Sequence, residues 1–253
     1  MKNKFNFAQE IIKEAAAFLR AHCLDDLQIV SKTHPTDLVT QFDSAVQQNL
    51  IARIHQAYPH DHILAEEDGI RHDIKDGAVW VIDPIDGTNN FIAQQADFAV
   101  MIAFYQDGQG QFGLIYDVGR DLLYAGGGDF PVTCNGQLLD KVQDRAPERS
   151  LLAINAGIYR ENSWGLTDFA DLFLGVRVYG SAGISFSKVL TGSIWGYVSY
   201  IYPWDYAAAK ILGQALGYTT MTVEGEDPSF DGVEAIIMLP SSYKESFLAQ
   251  IRK

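Results

Sequence analysis

Only two cysteines, Cys23 and Cys134, occur among the 253 residues. They lie far apart, with no CxxC pair and no zinc-like spacing, so free thiols in a reducing cytosol are the simplest reading. Basic residues are scarce as well: 19 Lys and Arg stand against 32 Asp and Glu, a formal net charge of -13. A nucleic-acid surface needs clustered cations to displace counterions from phosphate, which argues against that class of partner. No apolar run reaches the length of a bilayer-spanning helix, so no membrane partner is expected. The amphipathic start, with Ile11, Ile12, Ala15, Ala16 and Leu19 on one face and Glu10, Lys13 and Glu14 on the other, reads as a surface helix and not a signal peptide. Also missing are a GxxxxGK[ST] phosphate loop, a GxSxG elbow, an HExxH zinc helix, internal repeats and linker-like stretches.

What the chain does have is core: 47% of its residues are hydrophobic, enough for one large domain over residues 1–253. A division near Arg145-Ala146-Pro147-Glu148 would give subdomains 1–146 and 147–253. Helical spacing of Val46, Leu50, Ile51, Ile54 and Ala57 predicts a helix from Asp43 to Tyr58, stopped by Pro59. Short apolar runs predict strands over 78–82, 98–105, 112–116 and 122–125, with Asn135-Gly136 as a hairpin turn. Further strands are expected over 151–155, 176–179, 193–200 and 235–238. Helices are expected over 184–190, over 206–216 up to Gly217, and from Ser241. Strands and helices without strict alternation predict an α+β fold of layered sheets and helices.

The most informative segment is Trp80-Val81-Ile82-Asp83-Pro84-Ile85-Asp86-Gly87-Thr88-Asn89-Asn90-Phe91. It ends an apolar run with two carboxylates, a proline, a glycine and a hydroxyl. Carboxylates this close repel unless a cation sits between them, and Mg²⁺ takes oxygen ligands of this kind. Taken alone, the segment also fits an ordinary Asp-Gly turn after a core strand. Ile85 and Gly87 rule out an EF-hand loop, which needs oxygen-bearing side chains at alternate positions. Glu66-Glu67-Asp68 lies upstream, Asp37-Leu38-Val39-Thr40-Gln41-Phe42-Asp43 earlier still, and Trp204-Asp205 far downstream. Asp43 and Asp205 each fit a helix-start acid as well as a site residue, and Thr88 fits a helix N-cap. His60 and His62 around Asp61 read as a solvated loop, Gly126-Gly127-Gly128 as a flexible turn, and the aromatics from Trp195 to Trp204 as core or subunit interface.

In this order, D-L-V-T-x-x-D, E-E, W-V-I-D-P-I-D-G-T-N-N-F and W-D-Y-A-A resemble the inositol monophosphatase family of metal-dependent phosphomonoesterases. The resemblance spans most of the chain. It implies the layered αβαβα sandwich shared with fructose-1,6-bisphosphatase, a lithium-sensitive phosphoric monoester hydrolase with two or three Mg²⁺ ions, a cytoplasmic location and a homodimer. Glu66, Asp83 and the Ile85 carbonyl would hold one ion, and Asp83, Asp86 and Asp205 a second. Thr88, hydrogen-bonded to Asp43, would pair with the nucleophilic water. Glu67, Asp37 and Lys32 would support the metal shell or the phosphate. The backbone N–H groups of Gly87 and Thr88 would meet the phosphate, and Gly180-Ser181-Ala182, followed by Gly183 where the family has alanine, would contact the polyol. Inositol-selective members carry a Glu seven residues before the W-D aspartate, where this chain has Val198. The implied substrate is a small phosphorylated polyol such as inositol monophosphate. Alternatives are fructose 1,6-bisphosphate, phosphoadenosine phosphate or NADP on the same scaffold, or a non-catalytic metal-binding regulator.

Overall fold

The structure, a computed structural model, describes residues 1–22, 28–31 and 38–251. Cys23, Lys32 and Asp37 lie outside the described residues. Helix α1 (Lys2–His22) follows the expected stripe, burying Ala8, Ile11, Ile12, Ala15, Ala16 and Leu19. A short hairpin of β1 (Ile29–Ser31) and β2 (Leu38–Thr40) leads into α2 (Gln41–Ala57). Thr40 caps α2 and Asp43 completes a capping box, satisfying amide groups that the first helical turn leaves free.

Seven strands follow as one sheet in sequential order: β3 (His62–Ala65), β4 (Ala78–Asp86), β5 (Ala99–Gln106), β6 (Gln109–Asp117), β7 (Leu122–Gly127), β8 (Phe130–Cys134) and β9 (Gln137–Leu138). Only β3 and β4 pair in parallel; the rest are antiparallel. The seven-residue α3 (Thr88–Gln94) is inserted after β4. Both faces of the sheet are covered, which explains why β4 and β5 read as continuous apolar runs. Val100, Ile102 and Phe104 pack under α1 and α2, while Ala99, Met101, Ala103 and Tyr105 face the other way. The buried Trp80 keeps its polar edge paired, its Nε1 donating to Asp61 Oδ2 at 2.8 Å. Asp61 also receives Lys4, so the loop expected to be simply solvated anchors α1 to the sheet.

The remainder forms a five-stranded sheet in the order β11, β10, β12, β14, β13. In chain order its elements are β10 (Leu151–Ile154), α4 (Ala156–Glu161), α5 (Leu166–Ala170), β11 (Gly175–Arg177), α6 (Ala182–Leu190), β12 (Gly196–Ile201), α7 (Pro203–Leu216), β13 (Tyr218–Thr222), β14 (Glu234–Pro240) and α8 (Lys244–Ile251). Helices α6 and α7 lie between the two sheets. Ile184, Phe186, Ala208 and Leu212 share one core with Val81 and Met101 of the first sheet and with Tyr197 and Met238 of the second. Gly113 admits this close packing, since a Cβ there would sit 2.4 Å from the Ala208 carbonyl oxygen. On the outer face of the second sheet, Leu152, Val198 and Ile237 pack against α4, α5 and α8 through Ile158, Phe169 and Phe247. The layers are therefore helix, sheet, helix, sheet, helix, the predicted αβαβα sandwich.

Several element boundaries differ from the sequence reading. Strand β4 runs on through the acids to Asp86 instead of stopping at Ile82. Strand β13 and helices α4 and α5 were not anticipated. The triple glycine is a tightly packed turn, because Cβ atoms at Gly126, Gly127 and Gly128 would each meet a neighbour within 2.4 Å.

Candidate active site

The site begins with a register error in β4. Asp83 lies opposite Met101 and Asp86 opposite Ala99, so β4 uses one residue more than β5 over the same stretch. Side chains alternate along a strand, and without the extra residue Asp83 and Asp86 would point to opposite faces. The bulge returns both to the side of α6 and α7, and Ile85 joins Ile82 in the core on the other side. Pro84 sits inside the bulge, where its missing N–H breaks no ladder bond. The two carboxylates thus leave the face of a strand that continues past Ile82, where the sequence reading ended it.

Asp83, Asp86 and Asp205 converge, with one oxygen from each within 4.8 Å of the others. Their surroundings differ. Asp86 accepts from the amides of Ala182 at 2.9 Å and Gly183 at 2.8 Å, and from the Ser181 hydroxyl, which seats it on the first turn of α6. Burial pushes its pKa up while these three donors pull it back. Asp205 is the third residue of α7 and accepts from the Tyr202 amide at 2.7 Å, a capping role of the kind its position allowed. Asp83 is 1% exposed, and neither of its oxygens accepts from an N–H or hydroxyl group; the polar group nearest to it is the Asp205 carboxyl, another acid. Burial, then the charges of Glu66, Asp86 and Asp205, hold its pKa well above the carboxylate range. Burial, then Asp86 and Glu66, do the same for Asp205. Glu66 is half-buried just after β3, with its amide donating to Ile82 O at 3.3 Å across the sheet.

An orphaned buried carboxylate among three others is costly without a counter-charge. A hard divalent cation fits this donor set of three converging carboxylates, with the charge of Glu66 beside them. Binding it would replace the protons that burial otherwise keeps on Asp83 and Asp205.

Thr88 opens α3, and its hydroxyl has two acceptors, Asp43 Oδ1 at 3.1 Å and the Ile85 carbonyl at 3.0 Å. Asp43 is fully buried and binds Thr40 through its other oxygen, with the amide at 2.8 Å and the hydroxyl at 2.7 Å. It therefore completes a helix cap and touches Thr88 at the same time, so its two readings are both realised. Gly87, between Asp86 and Thr88, has φ 86° and would place a Cβ 2.8 Å from that of Ser181, so only glycine fits. Glu67 is held by its backbone: Gln47 of α2 receives its amide at 2.8 Å and donates to its carbonyl at 3.0 Å. Lys32 and Asp37 lie outside the described residues.

Beside Asp86 and Asp205 lies a cavity of about 360 Å³, walled by Asn155, Tyr179, Gly180, Ser181, Ala182, Tyr197 and Ser199 among others. Among the described residues, none that lines it is a lysine or arginine. The three predicted polyol-contact positions 180 to 182 do border it, although Ser181 and the Ala182 amide are engaged with Asp86. Val198 does not border it; that side chain is buried on the opposite face of β12, and Tyr197 and Ser199 face the cavity instead. A Glu at 198 on this register would enter the outer core, so the comparison drawn from that position is corrected.

Sequence reading gave no roles to Gln47, Asn90, Asn155 or Ser199. Asn90 ties α3 to the cavity rim, its side-chain amide donating to Asp97 O at 2.8 Å and Tyr179 O at 2.7 Å. The signal for Asn90 was present inside the T-N-N-F motif, whereas Gln47 carried none. His62 stacks on His72 at 3.7 Å, away from the acids.

The chain matches the model of the inositol monophosphatase family over residues 1–253. It is 36% identical to the inositol-1-monophosphatase of Bacillus subtilis (strain 168) over 247 residues, covering 95% of this chain and 93% of the relative. Inositol monophosphatase 1 of Homo sapiens is 30% identical over 231 residues, covering 87% and 83%. Among solved structures, inositol monophosphatase II of Staphylococcus aureus MSSA476 superposes with a TM-score of 0.88 at 28% identity, covering 98% of this chain and 95% of that one.

Proposed function

Because the chain belongs to the inositol monophosphatase family over its whole length, we propose that it is a Mg²⁺-dependent phosphomonoesterase acting on a small neutral polyol phosphate such as inositol monophosphate. The observation that carries this reading is Asp83, a buried carboxylate with no N–H or hydroxyl donor among three other acids. Glu66, Asp83 and the Ile85 carbonyl would hold one Mg²⁺, and Asp83, Asp86 and Asp205, whose carboxylate oxygens converge, would hold a second. Bound Mg²⁺ supplies Lewis acidity at the phosphoryl oxygens and a water of lowered pKa.

The protein residues do the rest. Thr88 carries one hydroxyl proton for two acceptors, and in this reading it gives that proton to the Asp43 carboxylate. The freed lone pairs of Thr88 then face the site and accept a hydrogen bond from the attacking water, fixing its direction toward phosphorus. The water's oxygen forms the new P–O bond as the ester P–O bond breaks, and the proton the water gives up balances the one the leaving alcohol takes up. Backbone N–H groups of Gly87 and Thr88 lie against the phosphate, and Glu67, Asp37 and Lys32 support the shell around it. The alcohol occupies the cavity beside Gly180, Ser181 and Ala182. Among the described residues the cavity is lined by neutral side chains apart from Asp86 and Asp205, which favours a single phosphate on a neutral alcohol.

Lithium inhibits by competing for the second cation position. The free thiol of Cys134 suits a reducing cytoplasm. Exposed Leu172, Leu174 and Val178, flanking the edge strand β11, suit a homodimer contact. The test is phosphate release, with Mg²⁺ and with chelator, from inositol monophosphate, fructose 1,6-bisphosphate, phosphoadenosine phosphate and NADP. Mg²⁺-dependent release, fastest from the monophosphate, supports the proposal; no release from any of the four rejects it.

A further inference from the structure

The turn between β3 and β4 carries Glu66 and Glu67, then Asp68 and Gly69 at φ 61° and 64°. Three consecutive acids repel one another, so the turn needs something to keep its neck closed. One closure is backbone, Ala65 N to Ile70 O at 3.1 Å. The other is Arg71, whose Nη1 donates to the Ala65 carbonyl at 2.5 Å and to that of Ile70 at 3.0 Å. The same guanidinium lies 4.5 Å above the ring of Trp204, the residue before Asp205. Trp204 is itself held parallel to Tyr202, with ring centroids 4.7 Å apart and planes 7° apart.

Glu66 and Asp205 thus reach the site from segments distant in the chain, and one side chain touches the neck of the first and the aromatic neighbour of the second. We infer that Arg71 is a positioning residue of the metal centre, setting the separation of Glu66 from Asp205 by clamping the acidic turn against Trp204. This rests on the metal-dependent reading above. Arginine suits the task because a planar guanidinium can stack on an indole face and still donate in its own plane, which a lysine ammonium cannot reproduce.

Mg²⁺ titration by calorimetry of the wild type, Arg71→Ala and Arg71→Lys tests this, alongside phosphate release at saturating Mg²⁺. Arg71→Ala is expected to weaken Mg²⁺ binding on the order of tenfold while kcat at saturating Mg²⁺ falls far less. Arg71→Lys should recover only part of the affinity, and adding Trp204→Phe to Arg71→Ala should cost less than it does in the wild type, as coupled residues behave. Wild-type Mg²⁺ affinity in Arg71→Ala, or full recovery in Arg71→Lys, would overturn the inference. A wild type that binds Mg²⁺ but releases no phosphate would sink the proposed reaction and leave the calorimetric comparison intact.

Discussion

On the side of the seven-stranded sheet, the site is built from acids leaving a fully buried strand: Asp83 and Asp86 from β4, with Glu66 at the end of β3 beside it. On the side of the five-stranded sheet, the cavity wall is Asn155, Tyr197 and Ser199, from a helix cap and one face of β12. The first set is ionisable, crowded and held by a strand with core on both faces. The second is neutral and comes from a helix cap and from the central strand of its sheet. Both sets draw on strands paired on both sides, so what separates them is charge: acids on one side, and hydroxyl and amide groups on the other.

Breaking the first side should have the largest effect. Asp83→Asn is expected to lower turnover at least a thousandfold, yet to raise the melting temperature of the metal-free protein by a few degrees. Removing a buried acid that folding has to carry protonated should stabilise by about 1–3 kcal/mol at neutral pH, and each 1 kcal/mol is worth roughly 2–4 °C at this size. Parallel phosphate-release and thermal-melt experiments in chelator check both halves. Asp86→Asn should also abolish turnover, but without the gain in stability, because one of the two oxygens that Ser181, Ala182 and Gly183 donate to becomes an NH2 group that cannot accept; a rise in melting temperature would mean that Asp86 and Asp83 are equivalent.

Thr88→Ala comes next, with kcat reduced roughly a hundredfold, the scale of a lost proton-handling group, and Mg²⁺ affinity much less affected. The reverse pattern would make Thr88 structural.

Stability against pH probes the same carboxylates without catalysis. Asp83 and Asp205 have folded pKa values raised above their unfolded ones, so the native chain binds more protons. Their stabilising contribution is present below the unfolded value of about 3.9 and is lost as pH rises through the raised folded values. The melting temperature in chelator should therefore decline across that window, and the increment given by added Mg²⁺ should grow with pH. A pH-independent increment would remove these two acids from the metal shell.

The smallest effect belongs to the second side. Ser199→Ala should shift KM ratios among phosphorylated alcohols by up to about tenfold, the worth of one hydrogen bond, while Mg²⁺ affinity stays fixed. A change in Mg²⁺ affinity instead would erase the division between the two sides.

Much of the architecture was legible because buried helices and strands write their periods into sequence, as in α1 and β5. Strand β13 was hidden because Thr219, Thr220 and Thr222 interrupt any apolar run, though Thr220 and Thr222 are buried. The acids of the site were legible from their crowding and order, but their individual states were not. Asp86 is satisfied by groups up to 97 residues away and Asp83 by none, a difference of tertiary contact that no local pattern encodes. Val198 misled for a related reason: position along β12 is readable, whereas which face the strand offers to the cavity depends on how the sheet packs.

The extra residue in β4 makes the chain's tolerance to length quite unlike its tolerance to composition. Exchanging Pro84 for another residue leaves the count unchanged and the two aspartates side by side. Deleting it keeps every ligand in the sequence but sends Asp86 through the sheet toward α1 and α2, into a layer of phenylalanine, valine and isoleucine. A reading-frame-neutral loss of three nucleotides would be more damaging there than nearly any missense change outside the acids themselves.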